Sequence, residues 1–93
     1  MFKKRSWLHR GRIESDEGFS IVVSGRDTVI YREGGRAMPI TVDIGPDGFT
    51  IFLTSIGRWN DDPVHAVGEQ KKRAIADNVR RALASQGQKV DFA

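Results

Sequence analysis

Alternating apolar and polar residues over the first two thirds of the chain predict antiparallel strands joined by tight turns. Gly34-Gly35 separates two apolar-rich runs, 28–33 and 36–44. Two central glycines suit a type I′ hairpin, in which both turn residues have positive φ. Gly45-Pro46-Asp47-Gly48 predicts a second turn, because proline presets φ at the first central position. The predicted arrangement is a meander.

These turns also predict which residues lie opposite each other, since cross-strand neighbours share one face of a sheet. The predicted apolar pairs are Ile21 with Tyr31, Val23 with Val29, Val29 with Ile40, Tyr31 with Met38, Ile40 with Leu53, Val42 with Ile51, and Ile44 with Phe49. The first two pairs require a three-residue loop, Gly25-Arg26-Asp27. The reverse face is mixed, because Val22, Ile30 and Phe52 lie there among polar residues. Pro39 cannot donate to a ladder and is predicted at an edge or a bulge.

The hydrophobic period changes after Val67. Between residues 67 and 86 the apolar positions follow helical spacing, and they are Ile75, Ala76, Val79, Ala82 and Leu83. Gly87 is placed to end this helix. Val90 and Phe92 then alternate with polar neighbours, which predicts a short last strand at the edge of the sheet. The predicted fold class is α+β: an antiparallel meander sheet with one C-terminal amphipathic helix packed on its apolar face.

Length and composition favour one folded domain. The chain has 93 residues, of which 39% are hydrophobic, and this is an ordinary globular fraction. We expect a basic tail over residues 1–12 and a single domain over residues 13–93. The absence of cysteine excludes disulfides and thiolate metal sites and fits a reducing, cytoplasmic location. No apolar run approaches the length of a membrane span, so no membrane association is expected.

Charge is distributed unevenly along the chain. The net charge of +3 divides into +5 over residues 1–12, −6 over residues 13–70 and +4 over residues 71–93. A nucleic-acid interface is therefore one hypothesis, in which cations contact phosphates and an aromatic ring stacks on bases. Its candidate residues are Lys3, Lys4, Arg5, Trp7 and Arg10, with a second basic strip along the predicted helix. No helix-turn-helix, zinc finger or ribonucleoprotein motif accompanies them.

Catalytic and metal-binding patterns are weak in this sequence. Ser55, His65 and Asp61 or Asp62 could form a Ser–His–Asp set, but no nucleophile elbow orders them. The two aspartates and His65 are too few to define a metal site. The sequence therefore predicts a non-enzymatic protein without a metal or cofactor.

Five short motifs follow one another along the chain: Tyr-x-Glu at 31–33, Gly-Arg-x-Met at 35–38, Ser-Ile-x-x-Trp at 55–59, a proline at 63, and Ile-x-x-Asn-Val-x-x-x-Leu at 75–83. Together they resemble the bacterial immunity protein 74 family of polymorphic toxin systems. The similarity covers about residues 19–92. It implies a protein that neutralises a partner toxin by binding it and that carries no enzymatic motif.

An acidic central region of this kind could cover a basic cleft of a toxin, with buried aromatic or arginine anchors supplying affinity. The candidate partner-binding residues are Arg36, Arg58, Trp59, Asp61 and Asp62. In an alternative interpretation, Trp59 only covers the edge of the core. The apolar residues of the reverse face could pack against Trp7 and Leu8 or form a homodimer contact, so a self-associating structural domain is a further hypothesis.

Overall fold

Seven strands form one sheet and follow one another in chain order. A computed structural model describes residues 2–5, for their backbone, and residues 12–93. Within them lie β1 (Phe2–Arg5), β2 (Arg12–Ser15), β3 (Phe19–Ser24), β4 (Thr28–Glu33), β5 (Arg36–Gly45), β6 (Gly48–Ile51), a 3₁₀ turn (Leu53–Ser55), α1 (Glu69–Ala84) and β7 (Lys89–Phe92). The first six strands pair antiparallel, and β7 pairs parallel to β6. The predicted α+β class is confirmed.

The predicted register is confirmed for all apolar pairs but one. The pairing of Ile40 with Leu53 is wrong, because β6 ends at Ile51 and the chain enters the 3₁₀ turn. Next to Ile40, individual hydrogen bonds take the place of a regular β-ladder. The Phe52 N–H donates to the Thr41 carbonyl at 3.0 Å, and the Thr41 N–H donates to the Ser55 hydroxyl at 2.8 Å.

Pro39 lies where the sequence predicts it, on a strand edge without a regular ladder. The backbone groups of Ala37 and Thr41 point away from β4, since Ala37 accepts from the Asn60 N–H at 2.7 Å and Thr41 bonds to residues 52 and 55. Pro39 lies midway between them and faces the same side. The N–H that proline lacks is therefore not needed by the β4–β5 ladder.

The strand β1 was not predicted. Its backbone pairs with β2, with Phe2 opposite Ser15 and Arg5 opposite Arg12. These residues were predicted to belong to a basic tail, and the stretch Phe-Lys-Lys-Arg has no apolar alternation that would indicate a strand.

The helix α1 packs on the apolar face of the sheet, as predicted. Its five predicted core residues are all buried, and they join the strand residues in one hydrophobic cluster. The helix is shorter than the predicted window at both ends. At its C-terminus Gly87 adopts a φ of 78°, and the Gln88 N–H bonds back to the Leu83 carbonyl at 3.2 Å. Among the described residues, no helix combines the length and apolar character needed to cross a membrane.

The last strand reaches the sheet through a close backbone contact at Gly48. Gly48 lies opposite Lys89 and has a φ of 144°. A Cβ atom at this position would lie 2.1 Å from the Lys89 carbonyl oxygen. Glycine is therefore required for β7 to approach β6 this closely.

Candidate functional site

Four of the five predicted partner-binding residues meet at the start of β5. We call Arg36, Trp59, Asp61 and Asp62 the Arg36 cluster. The Arg36 Nε donates to Asp61 Oδ1 at 3.1 Å, and a terminal nitrogen of its guanidinium lies 4.0 Å from Asp62 Oδ2. The same guanidinium lies over the Trp59 ring, 5.0 Å from its centroid. These contacts fix a charged side chain that would otherwise be free to rotate.

The members of the Arg36 cluster differ in exposure. Trp59 is only 7% exposed and belongs to the core, where its ring centroid lies 6.1 Å from that of Tyr31. This agrees with the alternative interpretation of Trp59 as the cover of the core edge. The Asp61 side chain is 63% exposed and the Arg36 side chain 40%. Arg36 and the two aspartates therefore form the accessible surface, and Trp59 supports Arg36 from beneath.

Arg58 does not join the cluster. It is exposed and forms no hydrogen bond or ion pair within residues 12–93. Its assignment as a partner-binding residue rests on its residue type alone and stays a prediction.

The loop that carries the aspartates is held by its own hydrogen bonds. Asp62 Oδ1 accepts from the His65 backbone N–H at 3.2 Å and lies 3.0 Å from His65 Nδ1. These two bonds, the side-chain bond first, hold the pKa of Asp62 below its ordinary value. The Val67 N–H donates to the Gly57 carbonyl at 2.7 Å and closes the loop.

The Ser–His–Asp set is not assembled as a hydrogen-bonded unit. The Ser55 hydroxyl donates to the Phe52 carbonyl at 2.6 Å and accepts from the Thr41 N–H, so it stabilises the 3₁₀ turn. Its bonds do not include His65, which instead contacts Asp62. Residues 12–93 contain no group of three or more potential metal ligands.

A half-buried polar network, which was not predicted from the sequence, lies beside the cluster. The Tyr31 hydroxyl donates to Glu33 Oε1 at 2.5 Å and accepts from Asn78 Nδ2 at 2.9 Å. Glu33 also accepts from Lys71 of α1. Asn78 Oδ1 in turn accepts from Arg81 at 2.6 Å. The network therefore connects β4 to α1 through side chains that are far apart in the sequence.

The network shifts the titration of its members. Burial, followed by the bond to Glu33, raises the pKa of Tyr31. Burial alone would raise the pKa of Glu33, but the hydrogen bonds from Lys71 and Tyr31 outweigh it and hold that pKa below its ordinary value. Glu33 is therefore a carboxylate at neutral pH, and Tyr31 is a neutral donor.

A cavity of about 480 Å³ lies between the cluster, the Gly34-Gly35 turn and the start of α1. Its wall includes part of the network and part of the cluster, and its charged or aromatic members are Glu33, Arg36, Trp59, Asp62, His65 and Lys71. Because charges of both signs line it, it suits a polar side chain of a partner better than an apolar ligand.

The residues of the nucleic-acid hypothesis are less well placed. The strand β1, of which only the backbone is described, contains Lys3, Lys4 and Arg5. The other two candidates, Trp7 and Arg10, lie outside the described residues. On α1, three of the five cations are bound to carboxylates: Lys71 to Glu33, Arg80 to Asp77, and Arg81 to Glu17 and Asp77. Only Lys72 and Arg73 form no ion pair with another described residue. The helix therefore presents fewer free cations than its sequence indicates.

The reverse face of the sheet keeps the mixed character predicted for it. Val22 lies opposite Ile30, and Ile30 lies opposite Pro39, in a partly exposed apolar row. Trp7 and Leu8, which were considered as its cover, lie outside the described residues. A homodimer contact through this row stays a prediction.

Comparisons with known proteins add no relative to this description. The chain matches no protein-family model, no curated protein and no solved structure.

Proposed function

We propose that this chain is a non-catalytic immunity-type protein of the cytoplasm, which binds a cognate bacterial toxin and neutralises it. The observation that carries the proposal is the Arg36 cluster. Its charged residues come from segments 25 positions apart, and the fold brings them into one exposed surface. The proposed contact residues are Arg36, Asp61 and Asp62, with Trp59 as their support.

The fixed geometry of this surface favours tight binding. A flexible side chain costs about 0.5–1.5 kcal/mol when an interface immobilises it. Arg36 is already held by Asp61 and by the Trp59 ring, and Asp62 is already bonded to His65. Much of this ordering cost is therefore met when the chain folds, before a partner arrives.

The charge of the surface favours a basic partner. Two aspartates surround one arginine, and Lys71 is neutralised by Glu33. An accessible carboxylate such as Asp61 can pair with a lysine or arginine of a toxin, and such complementarity accelerates encounter. Toxins that act on nucleic acids carry basic clefts of this kind, since they must contact phosphates.

The resemblance to immunity protein 74 supports the same surface. The residues that carry it include Tyr31, Glu33, Arg36, Trp59 and Asn78, which are distributed over four segments of the chain. All five lie in the Arg36 cluster or in the adjoining network. A shared set of motifs that converges on one place is what a common binding surface would produce.

The test is co-expression with the product of the gene that lies immediately upstream. We expect the chain to restore growth against that product and to co-purify with it. Arg36→Glu should abolish both effects, because it removes the ion pair with Asp61 and the contact with the Trp59 ring that fix this surface. Arg32→Glu is the matched control, since Arg32 is an exposed arginine of β4 without an ion pair in the described part of the chain. It should leave both effects intact.

The outcome also separates the two leading hypotheses. If the upstream product is not toxic and does not co-purify, the immunity proposal fails. A nucleic-acid module would instead bind DNA or RNA with an affinity that falls steeply with salt and is lost in Lys3→Gln, Lys4→Gln, Arg5→Gln. Toxin binding should be unchanged by these three substitutions.

A further inference from the structure

Among the described residues, no strand pairs with the outer edge of β7. It is the last strand in the sheet order, and β6 is its neighbour on one side. Ala93 donates its N–H to the Ile51 carbonyl and accepts from the Leu53 N–H, both at 2.9 Å, so its backbone faces β6. Backbone groups alternate in direction along a strand. Those of Val90 and Phe92 therefore face outward, where another strand can pair with them.

The side chains of this edge complement a second copy of themselves. Lys89 and Asp91 have opposite charges, lie two positions apart, and share the reverse face of the sheet. Neither forms an ion pair with another residue of the described chain. When two β7 strands pair antiparallel about a two-fold axis at Val90, Lys89 of each copy lies opposite Asp91 of the other. This arrangement would form two cross-strand ion pairs, and the two Val90 residues would donate one backbone hydrogen bond to each other.

An exposed aromatic side chain adjoins the same edge. Phe92 is 43% exposed and lines a cavity of about 430 Å³ between β7 and α1, together with Leu53, Ala76 and the charged residues Glu69, Lys72, Arg73 and Asp77. Proteins usually protect an open edge with charges that repel a second strand or with a proline. At the β7 edge, Lys89 and Asp91 have opposite charges, so in the antiparallel arrangement each would attract the other's counterpart in a second copy.

We propose that two copies of this chain form a symmetric dimer by antiparallel pairing of their β7 strands at Val90. The dimer would continue one sheet across both copies. The dimer leaves the Arg36 cluster accessible. Arg36 is the first residue of β5, and β6, which lies between β5 and the β7 edge, pairs only with the last four residues of β5. The inference therefore does not depend on the proposed function.

Charge reversal at the two positions tests the dimer directly. The molar mass of the full chain is measured by light scattering after size exclusion, over a range of concentrations up to the order of 1 mM, where weak association is still detectable. We expect the mass to rise from 10.4 kDa towards twice that value. Asp91→Lys alone and Lys89→Asp alone each place like charges opposite each other twice. Each should raise the dissociation constant about tenfold or more.

Two combinations separate the pairing from a general effect of charge. Asp91→Lys mixed with Lys89→Asp should form a heterodimer, and the double variant Lys89→Asp, Asp91→Lys should dimerise as the wild type does. Asp43→Lys is the control, because Asp43 lies on the same face two strands further in, and it should leave the dimer intact.

The proposal is overturned if the wild type stays at 10.4 kDa throughout, which would leave the edge to a strand of another protein. It is equally overturned if the double variant does not recover the dimer. An effect of Asp91→Lys without any effect of Lys89→Asp would indicate a different register and would contradict the axis at Val90.

Discussion

Replacing Gly48 with alanine should detach the last strand from the sheet. The added Cβ atom would lie 2.1 Å from the Lys89 carbonyl oxygen and 2.9 Å from its carbon. Both are backbone atoms, so no side-chain rotation can relieve the contact. The backbone of β7 would have to move by about 1 Å, which breaks the hydrogen bonds of a four-residue strand.

Two contributions make up the expected cost, and a third offsets part of it. Alanine at a φ of 144° is strained by about 1–3 kcal/mol. Each ladder bond lost between β6 and β7 adds about 0.5–1.5 kcal/mol. The lower entropy of the unfolded alanine variant offsets about 0.4–1 kcal/mol of this. We therefore expect Gly48→Ala to lower the free energy of unfolding by about 2–4 kcal/mol, a large part of the stability of a small domain.

Urea unfolding followed by far-ultraviolet circular dichroism measures this difference. Gly45→Ala is the matched control in the same hairpin, because its φ is not positive and its nearest neighbour, the Gly48 oxygen, would lie 4.0 Å from the new Cβ. It should change stability by less than about 1 kcal/mol. Hydrogen exchange should also become faster at Ala93, whose N–H bonds to Ile51. Equal stability of the two variants would refute the close contact between β6 and β7.

Three further predictions concern the core and the network. Val79→Asp places a charge at a fully buried position of α1 and should cost on the order of 3 kcal/mol or more, so an unchanged thermal melt would contradict the packing of the helix. Tyr31→Phe removes the hydroxyl that joins Glu33 to Asn78 and should lower the free energy of unfolding by about 1–3 kcal/mol in urea, whereas a neutral result would mean that the network adds no stability. Glu33 has a lowered pKa in the folded chain, so its stabilising effect is complete above its unfolded pKa of about 4.3 and is lost as the pH falls through the folded value. The stability difference between wild type and Glu33→Gln should therefore be larger at pH 7 than at pH 3, and a constant difference would contradict this assignment.

The local pattern of the sequence was sufficient for the hairpins between β3 and β6 and for the helix. Turn residues fixed the register from β3 to β6, because each pair of strands is joined by a short loop. The prediction extended the alternation one step too far, to Leu53, where the chain leaves the sheet. The pairing of β1 was missed, since its residues lack alternation and its partner is separated from it by six residues. The parallel direction of β7 depends on where α1 returns the chain, which no local pattern contains.

The local sequence also indicated only part of the candidate site. Arg36 and the aspartates were identified from residue type, but the fold alone brings them together. Arg58 was identified in the same way, but its exposed side chain forms no hydrogen bond or ion pair with another described residue. The bond between Tyr31 and Asn78 spans 47 positions and could not be inferred from spacing. Long-range polar contacts of this kind depend on tertiary packing. The sequence therefore indicated some of the residues but not how they are arranged.

The most direct test of the proposed binding surface is a calorimetric titration of the proposed toxin, the product of the gene immediately upstream, with three forms of this chain. The forms are the wild type, Asp61→Lys, and Asp47→Lys, where Asp47 is an exposed acid of the β5–β6 turn. We predict that Asp61→Lys weakens binding at least about tenfold, equivalent to about 1.4 kcal/mol, while Asp47→Lys binds as the wild type does. Equal affinities for all three forms would contradict the assignment of the Arg36 cluster as the surface that holds the toxin.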